Sequence, residues 1–142
     1  METGGLLVKP RDSLKSILMN DRLDFSPGTL LTLICPMCGK PIHNQVPEMH
    51  EALITKGMTS GLPNQDKINS RYNCVLVHPK CHRKIQGSGG VENQRKCAEH
   101  LVKFEGCDQV EAWLGMMADQ EFKIVGSQAL RTFEGFQLGE IT

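Results

Sequence analysis

The stretch Cys35-Pro36-Met37-Cys38-Gly39-Lys40, together with its counterpart His78-Pro79-Lys80-Cys81, decides how this chain is read. A C-x2-C spacing lets two thiolates reach one ion from a tight turn, and a glycine beside the second cysteine relieves the backbone there. The second pair, H-x2-C, has the same spacing. Cys35, Cys38, His78 and Cys81 together make a closed Cys3His set of the kind that holds structural zinc. Cys74 in place of His78 is the variant of this reading, but Cys74 lies between Tyr72 and Val75 and reads as a core thiol. The loop-rich segment between the pairs has little core of its own, so metal binding is expected to contribute directly to folding.

Working outward, Ser26-Pro27-Gly28 is a turn, and Leu30 to Ile34 reads as a short buried strand entering the first pair. Asn73 to Val77 is a second strand running into the second pair, and His82 to Gln86 can open a helix. Residues 39–70 are punctuated by Gly39, Pro41, Pro47, Gly57, Gly61 and Pro63. Upstream, residues 12–23 predict a helix capped by Asp12 or Ser13, with Leu14, Ile17 and Leu18 on one face. Downstream, Gly87-Ser88-Gly89-Gly90 is the clearest boundary. Beyond it Ala98, Leu101 and Val102 mark one helix that ends at Gly106. Asp108 with Glu111 suggests a capping box for a second, carrying Val110, Trp113, Leu114 and Met117. Phe122 to Val125 predicts a strand before the tail. The expected organisation is an N-terminal helical extension (1–26), a zinc-binding core (27–90) and a C-terminal helical hairpin with tail (91–142), in the α+β class.

Charge follows the same division. The chain has 16 Lys+Arg and 16 Asp+Glu, which argues against a uniformly basic nucleic-acid coat. By segment, residues 27–86 carry seven basic and three acidic groups, and residues 87–142 carry five and nine. The neutrality therefore hides a +4 centre and a −4 C-terminal third. The acidic third is expected to turn away from phosphate, toward solvent or a protein partner. Leu6-Leu7-Val8 is too short for a signal-peptide core, and no segment approaches the roughly 20 apolar residues of a membrane span. A cytoplasmic protein with no membrane partner is expected, its cysteines reduced or metal-bound.

Inside the Cys3His frame lie Met49-His50-Glu51 and Asn73-Cys74-Val75-Leu76, and His82 follows Cys81 directly. On these residues the chain resembles the HNH, or ββα-metal, nuclease family over residues 33–86, in particular its small solo members from phages and mobile elements. Beside the family's pattern of C-x2-C, an Asp-His or His-His pair, N-x-x-x-L and C-x2-C-His, this chain shows Cys35-x2-Cys38, His50, Asn73-x2-Leu76 and His78-x2-Cys81-His82. Two positions depart: His78 stands where cysteine is usual, and Met49 stands where a metal-binding Asp or His is common.

The resemblance implies a ββα-metal core and hydrolysis of DNA phosphodiesters, in the cytoplasm of a bacterial host. It implies His50 as general base, suited by an imidazole pKa near neutrality. Glu51 or Glu48 would then supply the carboxylate; the alternative makes His50 a metal ligand and Glu51 the base. His82 would ligate a catalytic Mg2+ or Mn2+, and Asn73 would hold the His50 loop or ligate that ion. Zinc would be structural, locking the groups in register. Lys80, Arg83 and Lys84 would meet the DNA backbone. An H-E-x-x-H protease reading at His50-Glu51 fails because position 54 is Ile54. The competing expectation is a non-catalytic zinc module of degenerate HNH fold that binds DNA or a protein.

Overall fold

A computed structural model of the protein describes residues 10–25, 31–84 and 90–140. Helix α1 spans Pro10–Asp21. Proline suits its first position, where the missing N–H would have had no intrahelical partner. Leu18 is fully buried and Leu14 packs against the core, but Ile17 is 46% exposed, so the buried stripe is narrower than the expected triplet.

Two short antiparallel ribbons follow. Strands β1 (Leu23–Phe25) and β2 (Leu31–Leu33) pair with Leu23 opposite Leu33 and Phe25 opposite Leu31. The predicted strand over 30–34 is present as β2, but only Leu33 of it is buried and Leu31 is 56% exposed, so it is an edge ribbon and not the buried strand expected; the turn at 26–28 lies outside the described residues. Strands β3 (Glu48–Glu51) and β4 (Cys74–Val77) pair with His50 opposite Val75. All four β4 residues are buried. That near-continuous apolar run fits a strand covered on both faces, here by β4's contacts with α1 and α3. Helix α2 (Pro79–Lys84) leaves β4 at once, three residues earlier than the sequence suggested.

The C-terminal part is three helices rather than a hairpin and a strand: α3 (Gly90–Glu105), α4 (Cys107–Met116) and α5 (Lys123–Gly135). Gly106 separates the first two at φ 93°, a conformation that suits glycine. No side-chain cap bond forms at the start of α4, so the expected Asp108–Glu111 capping box is absent. A π-turn over Met117–Glu121 leads into α5. The strand predicted at Phe122–Val125 is a helix start. Ile124 and Val125 have strand propensity, but buried Phe122, Gly126, Ala129 and Phe133 recur at helical spacing, and this period wins. One apolar cluster joins Leu18, Val75, Val77, Leu101, Leu114 and Phe122, so all three expected regions share a core. No helix among the described residues is long and apolar enough to cross a membrane.

Candidate metal centre and the adjoining histidine cleft

The first ligand pair sits in a tight knuckle. The Cys35 N–H donates to Lys40 O (3.0 Å), Gly39 N–H returns to Cys35 O (2.8 Å), and Ile42 N–H to Leu33 O (2.8 Å). Gly39 takes φ 73°, the left-handed conformation this turn needs. The second pair comes from the β4–α2 junction, His78 just before α2 and Cys81 within it. The four ligand atoms of Cys35, Cys38, His78 and Cys81 lie within 4.8 Å of one another. Tetrahedral zinc with Zn–S of about 2.3 Å needs sulfurs about 3.8 Å apart, so the set fits the ion.

The histidine is already oriented for a metal. Its Nε2 lies 3.0 Å from Pro41 O, which can only accept, so Nε2 carries the proton. Its Nδ1 is left unprotonated, 3.2 Å from Cys38 Sγ and 4.0 Å from Cys81 Sγ. A carbonyl behind a ligating imidazole is the usual outer-shell support of zinc sites. Burial, then the neighbouring Cys35 and Cys38, push the Cys81 thiol up to about 12, and a dication among the sulfurs reverses that penalty. The chain therefore has a Cys3His group able to bind zinc. Cys74 is not part of it: its thiol is buried and lies 3.7 Å from Ile68 O.

Beside this centre, β3, β4 and α2 bring the predicted polar residues into one region. Strand alternation puts Glu48 and His50 on one face of β3 and Met49 and Glu51 on the other. Met49, 4% exposed, belongs to the core, which is why position 49 offers no ligand. The His50 and His82 rings meet edge-on with centroids 5.2 Å apart. His82 Nδ1 lies 2.8 Å from Glu48 Oε1. Burial, then His82, lowers His50 to about 4, with Glu51 opposing in part. His50 is therefore neutral near pH 7, with a lone pair available for a proton.

Of the two carboxylates the sequence left open, Glu48 is the one on His82. Glu51 is held elsewhere, accepting from Arg11 Nη1 at 2.7 Å. The same guanidinium donates to Asn69 Oδ1 (2.7 Å) and Met49 O (2.9 Å). Arg11 is the site residue that sequence reasoning missed: a single arginine on a helix carries no spacing signal.

Asn73 is fully buried. Its Oδ1 accepts from the N–H groups of Leu53 (3.0 Å) and Ile54 (2.9 Å), and its Nδ2 donates to Ile54 O (2.8 Å) and Ile68 O (2.9 Å). Both donors and both acceptor sites of the amide are used, so Asn73 positions the loop after His50 and has no lone pair left for an ion. Lys80 and Arg83 are exposed on α2; the side chain of Lys84 lies outside the described residues. His43 is exposed in the loop, and His100 packs on Phe104.

Compared with family models, curated proteins and solved structures, the chain matches none at a significant level. The Cys3His group and the α+β architecture thus stand on the chain's own geometry.

Proposed function

We propose that this protein is a metal-dependent endonuclease that hydrolyses DNA phosphodiester bonds, with His50 as the general base. The observation that carries the reading is the convergence of His50, His82 and Glu48 beside the Cys3His centre, on a strand–loop–strand–helix unit built from β3, β4 and α2. Neutral His50 accepts a proton from the attacking water. An arriving phosphodiester adds negative charge next to it, which raises the imidazole pKa from its apo value toward the useful range. His82 and Glu48 are the groups that would hold Mg2+ or Mn2+, which when bound supplies charge neutralisation at the scissile phosphate. Asn73 keeps the segment after His50 in register through backbone bonds alone. The Cys3His centre fixes the start of α2, and with it His82, against β3.

The second reading, a zinc module that binds without cutting, is favoured by one observation: Met49 is buried where the resembling family often carries a ligand. Incubating supercoiled plasmid with zinc-replete protein separates the two. The nuclease reading expects nicked or linear DNA when Mg2+ or Mn2+ is added and none without it. DNA that stays supercoiled with either ion contradicts that reading.

A further inference from the structure

Two clefts meet at one wall in this region. The larger, about 440 Å³, is lined by Lys56, Gln65, Ile68 and Asn69. The smaller, about 230 Å³, is lined by Lys15 and Glu48. Arg11 and His82 line both. We infer that one nucleic-acid strand lies along both clefts, its scissile phosphate at the Arg11–His82 divide and its flanking phosphates on Lys15 and Lys56. The inference rests on the nuclease reading and adds to it the path of the substrate.

A phosphodiester cut at His82 belongs to a chain that must continue in two directions, and two concave surfaces, one lined by Lys56 and one by Lys15, share His82 and Arg11. Each cleft carries one lysine without an ion-pair partner among the described residues. The acidic residues along the path are partly engaged: Glu51 with Arg11, and Glu48 with His82. Asp12 and Asp66 remain, one in each cleft, so each arm also carries one carboxylate, and its lysine is the group with which a phosphate can pair.

The larger cleft also has groups suited to a nucleotide. Gln65 spends its amide N–H on Lys56 O (2.8 Å) and Thr59 Oγ1 (3.2 Å), which leaves its carbonyl as an acceptor. Asn69 spends its carbonyl on Arg11, which leaves its NH2 as a donor. The pair offers one acceptor and one donor to a nucleotide, while Ile68 beside them is 2% exposed and belongs to the core. On this inference α1, which supplies Arg11 and Lys15, is part of the substrate interface and not merely a flanking extension. The exposed α2 cations Lys80 and Arg83 line neither cleft.

The test uses the full zinc-replete chain, Mg2+ and a fluorescein-labelled oligonucleotide with phosphorothioate linkages, which slow hydrolysis. Anisotropy gives affinity across a salt series, and unmodified DNA is assayed for cleavage in parallel. Lys15→Gln and Lys56→Gln are each expected to weaken binding about fivefold and to lower the log–log salt slope by about 0.7 to 0.9. Arg131→Gln, on an exposed part of α5 outside both clefts, is expected to bind like wild type. If wild type cuts DNA while both lysine variants bind as wild type does, the path is overturned and the nuclease reading stands. Equal weakening in Arg131→Gln also overturns the path, since attraction would then be diffuse. A wild type that neither binds nor cuts overturns both.

Discussion

Asn73 has no exposed surface, and its amide makes four hydrogen bonds to backbone groups between residues 53 and 68. Truncation to alanine strands two N–H and two C=O groups in the interior. The Asn73→Ala protein is therefore expected to lose about 3–5 kcal/mol, read from the urea midpoint. A loss below about 1 kcal/mol would mean that the loop does not depend on this side chain. The buried histidines give a second residue-scale expectation. Burial, then His82, lowers His50 to about 4; burial, then Arg22 and Lys103, lowers His100 to about 4. In the unfolded chain both titrate near 6.5. Between those values the unfolded state binds protons that the folded state excludes. Their contribution is complete above pH 6.5 and is lost as pH falls toward 4. NMR titration of the imidazole signals tests this directly, and a His100 midpoint at or above 6.5 contradicts it. At this scale Cys35, Cys38, His78 and Cys81 were legible because ligand spacing is a local signal. Arg11 was not, because its partners lie 38 to 58 residues away.

The β3–β4–α2 unit and the zinc knuckle are elements that depend on each other. The knuckle has few core residues, and α2 is only six residues long, too short to be stable alone. The Cys3His group draws two ligands from each, alongside the apolar cluster of Met37, Ile42, Met49 and Val75 that they share. Removing the metal with a strong chelator is expected to lower the thermal midpoint by 10 °C or more, with Cys81→Ser behaving like the chelated wild type. An unchanged midpoint after full zinc loss would show that apolar packing suffices. Among elements, β2, β4 and the α3 and α4 helices were readable from period and punctuation. Strand β1 escaped because three residues alternating Leu-Asp-Phe carry too little pattern, and only pairing with β2 defines it. Helix α5 escaped because β-branched Ile124 and Val125 outweighed the helical recurrence of Phe122, Gly126, Ala129 and Phe133. Gly126 shows why that recurrence matters. A β-carbon there would stand 2.6 Å from Ala118 N, so α5 crosses the π-turn only with glycine at this position.

Across the whole molecule, part of the charge asymmetry seen in the sequence is consumed internally. Glu105 of α3 binds Arg22 (3.0 Å) and Arg71 (2.8 Å), and Arg71 also binds Asp21 (2.8 Å). Glu121 binds Lys67, and accepts from Asn64 at 3.2 Å. Two acids of the C-terminal third thus neutralise Arg22 of the N-terminal extension and Lys67 and Arg71 of the core, tying the three regions together, a use that composition alone could not show. Arg22 is 1% exposed, so losing its partner leaves a buried charge. Glu105→Ala is expected to cost about 3–5 kcal/mol, whereas an exposed pair such as Arg95–Glu99 should be worth less than about 1 kcal/mol. Urea titrations of Glu105→Ala and Glu99→Ala side by side decide this, and equal losses would contradict it.

The role we propose for His50 is to take a proton during phosphodiester cleavage. Single-turnover cleavage of a DNA oligonucleotide by zinc-replete protein in Mg2+ tests it most directly, comparing wild type with His50→Ala at matched zinc content and thermal midpoint. The predicted result is a rate lowered about 10²- to 10⁴-fold in the variant. A His50→Ala protein that cuts within threefold of wild type would contradict the account.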